Sequence, residues 1–267
     1  MQRHVESRLL LEVADEARLG IQVAVARLPG LTVDERLAVT IDGRSAGPEE
    51  LTGPVGGRLH QLIVPRSRVE ITYSADVSGR AEPQVVTDLE RFEYLRPSRY
   101  VEADRLAAEA SADFGELSDP RAVLDSVSSW VGTRLDYVPG SSGPTDGAVD
   151  TMLARSGVCR DYAHLVAALL RARDVPARVV AVYAPGLSPM DFHAVVEAEV
   201  EGRWQVVDAT LLAPRQSFLR IATGRDAADT AFLSNYGGNV DLLEVSVSAW
   251  TEGDLPAEDV SELVSLG

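Results

Sequence analysis

Apolar positions along the chain follow two rhythms, and the change between them falls near residue 85. Before it, short runs of alternating or β-branched residues at 21–26, 37–41, 59–64 and 69–73 are separated by turn-forming PGLT, DGRSAGPEE and TGPVGG. That pattern predicts a small β-sandwich over residues 1–85, and the segment holds no polar constellation suited to chemistry. From residue 100 the spacing becomes helical, at 101–114 and 120–135, then at 148–155 after the loop YVPGSSGPTDG. A further helix opens with SGVCRDYAHL, and strands are expected at 178–183, 192–200 and 204–208. Helices first and sheet second make this second unit, residues 86–250, α+β. Residues 251–267, TEGDLPAEDVSELVSLG, form an acidic tail whose last part is expected as one exposed helix.

Composition narrows the setting. The formal charge is -16, from 41 acidic and 25 basic residues, and every basic residue is arginine. So acidic a surface repels phosphate backbones and argues against nucleic-acid binding. No apolar run approaches the roughly 20 residues that span a bilayer. The opening MQRHVESRLLLEVADEARLG lacks the basic segment and uninterrupted apolar core of a secretion signal. A single cysteine rules out an intrachain disulfide, so a cytoplasmic, reducing setting is expected. One cysteine and scattered histidines offer no metal-ligand spacing, and no cofactor is expected.

That cysteine, Cys159, sits where Ser156 and Gly157 should start a helix, with Val158, Tyr162, Leu165, Val166, Leu169 and Leu170 recurring at helical spacing until DVP ends the run. A free cysteine is often only a small hydrophobe. In a first turn, however, unpaired N–H groups and the helix dipole favour a thiolate. A thiolate nucleophile also needs an imidazole and a group to orient it. His4 and His60 fall in the β-rich region, and His164, on the cysteine helix itself, is rotated away and expected as a partly buried histidine with a hydrogen-bond partner.

His193 remains. It opens DFHAVVEAEVEGRWQVVDAT, a hairpin turning near Glu201 and Gly202, which returns to Asp208. A two-residue turn places Asp208 opposite Val195 and diagonal to His193. A four-residue loop places it directly opposite His193, and a three-residue loop puts the two on different faces. Asp208 could alternatively bond only to the backbone of the turn that follows it. Trp130 and Tyr137, upstream of the cysteine, are the side chains available as an extra donor near it, though a tryptophan on an apolar helix face more often belongs to the core. GRDAAD, with Arg225, Asp226 and Asp229, is expected as a helical turn tied by local ion pairs.

GVCRDYAHL, VPARVV, DFHA and WQVVDAT, in this order, resemble the bacterial transglutaminase-like superfamily, over roughly residues 92 to 240. The resemblance implies a papain-like core preceded by the small β-sandwich, with Cys159 as nucleophile, His193 as general base and acid, and Asp208 orienting the imidazole. It further implies acyl transfer on peptide or protein amides through a thioester. Hydrolysis by a protease or amidase is the expected outcome, and transfer to an amine or a catalytically idle scaffold on the same fold are the alternatives. The chain departs from the broader pattern at Val195, where tryptophan is frequent, and at Ala209, where proline is frequent; neither change removes a chemical group.

Overall fold

The computed structural model describes residues 1–266. Seven strands come first: β1 (Gln2–Val13), β2 (Ala17–Ile21), β3 (Leu31–Ile41), β4 (Arg44–Ala46), β5 (Glu49–Thr52), β6 (Arg58–Val64) and β7 (Ser67–Gly79). Next come α1 (Asp88–Glu93), α2 (Ala107–Phe114), α3 (Pro120–Arg134), β8 (Asp136–Tyr137), α4 (Ala148–Ala154), β9 (Ser156–Gly157) and α5 (Cys159–Arg171). The chain finishes with β10 (Ala177–Tyr183), β11 (His193–Val200), β12 (Arg203–Val207), β13 (Leu219–Gly224), α6 (Ala227–Thr230), β14 (Leu233–Gly237) and β15 (Val240–Thr251).

Two sheets form the sandwich, in the orders β15-β1-β7-β3-β4 and β14-β2-β6-β5. The last two strands of the chain therefore belong to it. β15 pairs with β1 from Arg3↔Thr251 to Val13↔Val240, and β14 pairs with β2. The expected division into 1–85 and 86–250 is corrected accordingly: the α+β unit is inserted between strands of one sandwich. The reason is burial. Alternate residues of β1, such as Val5, Leu9, Leu11 and Val13, share a core with Val247 and Ala249 of β15 and with Ile71, Tyr73 and Val77 of β7. The apolar run at 21–26 is buried as expected, but only Ile21 of it lies in a strand.

The inserted unit packs α5 and α3 on a third sheet, β12-β11-β10-β13. Ala194, Val196, Ala198 and Val200 of β11 meet Leu165, Val166 and Leu169 of α5 in one cluster. α5 is buried along nearly its whole length because the helix core and the sheet cover it from different sides. The predicted helix at 101–114 begins only at Ala107, while α3 and α4 fall within one residue of expectation. The tail is not helical. Val264 and Leu266 are buried against Val180, Val206 and Phe218, and the Val206 N–H donates to the Val264 carbonyl at 2.7 Å. Arg215 ties the segment down through the Glu258 carboxylate and the Asp259 carbonyl. A backbone edge and two apolar side chains outweigh the helical preference that the tail's sequence suggested.

The opposite face of the inserted sheet carries charge. Glu197 accepts from Arg178 at 2.7 Å and from Arg220 at 2.6 and 3.0 Å, all three side chains being almost fully buried. Arg178 also lies over the Trp204 ring, 4.1 Å from its centroid, and donates to Glu90 and Gln84. The two arginines hold the Glu197 carboxyl down at about 2 against the opposing effect of burial.

Candidate active site

Cys159 is the first residue of α5. Ser156 and Gly157 do not cap the helix, as the sequence suggested, but form a short parallel pairing with Asp136 and Tyr137. Val158 takes the capping position instead. Because its side chain offers no acceptor, the Asp161 carboxylate reaches back to the Val158 N–H at 2.8 Å. Asp161 also accepts from the Ser142 hydroxyl, which ties the 138–146 loop to the start of the helix. Gly157 is required by this close approach: a Cβ there would lie 2.6 Å from the Asp161 Cβ. Cys159 is left half-exposed at the helix N-terminus, where the backbone dipoles favour negative charge.

The hairpin adopts the two-residue turn. Val200 pairs with Arg203 and Val196 with Val207, so the register continues to Asp208 opposite Val195. His193 is consequently diagonal to Asp208. Its Nε2 and the Asp208 Oδ2 are 2.7 Å apart, and both side chains are buried. The other Asp208 oxygen accepts from the Thr210 N–H and hydroxyl, at 2.9 and 2.7 Å. Both readings of Asp208 thus hold, since one oxygen organises the turn and the other fixes the imidazole. Thr210 was not singled out in the sequence, although the Asp-x-Thr spacing is a signal for this turn.

With Nε2 committed to Asp208, Nδ1 is the ring nitrogen left without a conventional hydrogen-bond partner. Burial disfavours the charged ring, but Asp208 and, after it, the neighbouring Cys159 side chain overcome that effect and raise His193 to about 10. His193 in turn holds Asp208 below the usual carboxylate range despite its burial. The edge of the imidazole is steadied by Phe218, whose ring is 5.7 Å away at 70°.

The remaining candidates sort clearly. His164 is fully buried, stacks on Tyr100, and accepts the Ala227 N–H at 3.1 Å; burial lowers its pKa to about 3, which keeps it a neutral acceptor. His4 pairs with Asp76, and His60 with Glu50, both within the sandwich. Trp130 packs on Phe114 and under Arg134, in the helix core. Tyr137 is different: paired with Gly157, it stands beside the start of α5, and burial, then Cys159, raise its hydroxyl to about 12. Arg225 and Asp229 form the local ion pair expected of GRDAAD, while Asp226 caps α6 and accepts the Tyr100 N–H. Among the described residues no group of three or more His, Cys, Asp or Glu side chains is arranged to hold a metal ion. No helix there is long and apolar enough to cross a membrane.

Cys159 and His193 line one cavity of about 580 Å³, with Arg160 and Asp191 among its polar walls. Residues 108–209 match the transglutaminase-like superfamily, and Cys159, His193 and Asp208 all fall within that span. A solved structure described as "Putative Cysteine Protease" from Cytophaga hutchinsonii is 31% identical, with a TM-score of 0.89 over 98% of this chain and 96% of that one. The uncharacterized protein ML0607 of Mycobacterium leprae is 29% identical over 196 residues, 67% of this chain and 69% of its own length. The periplasmic domain of TgpA from Pseudomonas aeruginosa is 23% identical over 75% of this chain and 91% of that domain, with a TM-score of 0.41. The family match over the segment that carries the cysteine helix and the His193–Asp208 hairpin, together with a fold shared almost end to end with the Cytophaga structure, places the chain in the transglutaminase-like superfamily.

Proposed function

We propose that this protein catalyses cysteine-dependent acyl transfer on peptide-like amides, with water as the acceptor, so that it acts as a protease or amidase. The observation that carries the reading is the buried His193–Asp208 pair beside a cysteine on the first turn of a helix. An imidazole raised to about 10 is protonated at neutral pH, and its positive charge supports a Cys159 thiolate. The thiolate sulfur attacks the amide carbonyl carbon, and the carbonyl π electrons move to oxygen. Backbone N–H groups at the start of α5, with the Tyr137 hydroxyl beside them, serve as donors for that oxyanion. As the C–N bond breaks, the His193 Nδ1 proton goes to the departing amine. Water then gives a proton to Nδ1 while its oxygen attacks the thioester; the C–S bond breaks, releasing the acid and restoring the thiolate–imidazolium pair. Asp208 holds the ring in place throughout. A reducing compartment, which keeps Cys159 free, suits this chemistry.

The test is the rate of Cys159 alkylation by iodoacetamide between pH 4 and 9, in the native protein and in His193→Ala, alongside turnover of a mixed peptide-amide substrate. A fast reaction at mildly acidic pH that His193→Ala slows at least tenfold, with turnover abolished in Cys159→Ala, supports the proposal. Equal alkylation in the two proteins refutes it and leaves a non-catalytic scaffold. Products that carry an added amine rather than a new carboxylate would replace hydrolysis by amine transfer.

A further inference from the structure

The cavity that holds Cys159 and His193 is only partly built by the inserted unit. Gln22, immediately after β2, and Phe232, Ser234, Asn235 and Tyr236, in and just before β14, line it too. Gln22 is fixed in place: its N–H donates to the Phe232 carbonyl at 2.9 Å, and its side-chain amide donates to the carbonyls of Asp229 and Ala231, each at 3.1 Å. Its hydrogen bonds therefore hold the Asp229–Phe232 segment rather than facing the cavity.

The surface left to a ligand is mostly apolar. Phe232 stacks on Phe192, the residue before His193, with centroids 4.9 Å apart. Phe192 leans on Tyr183 at 5.6 Å, and Tyr183 stacks on Tyr73 in the sandwich core and bonds to Ser7 and the Val23 carbonyl. Tyr236, by contrast, is 70% exposed. Small side chains such as Ala227 and Ala228 leave room beside it. Apart from the Cys159–His193 pair, the charged lining residues are Arg160, already engaged by Ser142, the Gly143 carbonyl and Asp161, and Asp191, which points a carboxylate oxygen back to the Phe192 N–H. A mostly apolar cavity of this size, with Gln22 and Arg160 already engaged elsewhere, has room for a large hydrophobic side chain and its flanking backbone.

We propose that Phe232 and Tyr236 form a specificity subsite for a large aromatic or aliphatic side chain next to the carbonyl that Cys159 attacks, so that the sandwich, through β14, selects the substrate. This assignment rests on the acyl-transfer reading above. The chemical class of substrate is thus a peptide with a hydrophobic residue, uncharged and bulky, adjoining the scissile amide.

The experiment uses N-acetyl amino-acid chloromethyl ketones of phenylalanine, leucine, alanine, aspartate and arginine on the full chain. Inactivation of Cys159 is followed by mass spectrometry and normalised to the iodoacetamide rate of the same protein, which needs no turnover. The phenylalanine and leucine reagents are expected to react at least tenfold faster than the aspartate and arginine reagents. Tyr236→Ala, at an exposed position that does not endanger folding, and Phe232→Ala should each flatten that preference at least threefold. Equal rates across the panel, a preference for a charged reagent, or a hydrophobic preference that survives both substitutions overturns the assignment. Loss of the His193 dependence of iodoacetamide alkylation is a separate result, which removes the acyl-transfer reading itself.

Discussion

Replacing Glu197 with glutamine keeps the shape of the side chain and deletes the one fully buried negative charge facing Arg178 and Arg220. Among the described residues, Arg220 then keeps the Thr223 hydroxyl as its side-chain hydrogen-bond partner, and Arg178 keeps the half-buried Glu90 and Gln84. Two estimates of the cost agree. Removing one partner of a buried ion pair typically costs about 3–5 kcal/mol, because the other charge stays desolvated. A carboxyl held at about 2 in the fold against 4.5 unfolded is stabilised by 2.5 pKa units, or roughly 3 kcal/mol at neutral pH. Since the folded pKa is depressed, this stability is complete above about pH 4.5 and is lost as pH falls from there toward 2. Urea unfolding followed by tryptophan fluorescence is a suitable assay, because Trp204 stacks directly on Arg178. With a slope of about 1–3 kcal/mol per molar urea, the midpoint at pH 7 should fall by at least about 1 M. The variant should also lose the steepest part of the acid dependence, and Glu197→Gln combined with Arg220→Met should recover part of the deficit. A midpoint shift below about 0.3 M, or an unchanged acid profile, would refute the claim that this cluster anchors the sheet under the active site.

Asp208→Asn should lower kcat/KM on a peptide amide by about 10³–10⁴-fold while leaving Cys159 in place, since it frees the imidazole from its orientation. The same substitution has a pH signature: His193 is raised to about 10, so its contribution to stability is complete below pH 6.5 and lost as pH rises through 10, and in Asp208→Asn thermal melts should show that loss at lower pH. Tyr137→Phe should reduce kcat about 10²-fold with little change in KM, the mark of a group used mainly in the transition state. Gly157→Ala forces a Cβ against Asp161, so a cost of about 1–3 kcal/mol is expected, read as a melting temperature lowered by about 2–4 °C per kcal/mol.

The positions of Cys159, His193 and Asp208 in the fold were legible because each depends on short-range geometry. Cys159 follows from helix phase, and His193 and Asp208 from the period of a hairpin whose Glu201–Gly202 turn takes two left-handed residues, φ 53° and 75°. The hairpin register itself could not be read from the sequence, since turns of two and of four residues both keep the pair on one face. The Asp161 brace was hidden because Val158, an unlikely cap, looked like the first residue of an apolar stripe. Glu197 lies on the less apolar face of its strand, so alternation marked it as different but could not show that Arg178 and Arg220, from two other strands, close over it. The sandwich was recognised from its turns, yet β14 and β15 escaped because their partners lie more than two hundred residues earlier. Local pattern cannot report such a pairing. The tail illustrates the same limit, as its helical spacing yields to the edge of β12 and a hydrophobic slot for Val264 and Leu266.

Insertion of the α+β unit between strands of one sandwich also sets an order of events during synthesis. β1 and β2 emerge first but lack their β15 and β14 partners until the polypeptide has been made through residue 251. Pairings of such high sequence separation form late and slowly. Cys159, His193 and Asp208 are all made before β14, so the nascent chain carries these three residues while one wall of the cavity is still missing. The cavity beside Cys159 is therefore completed by the same step that closes the sandwich, and a chain interrupted before β14 is left with a thiol but no finished cleft.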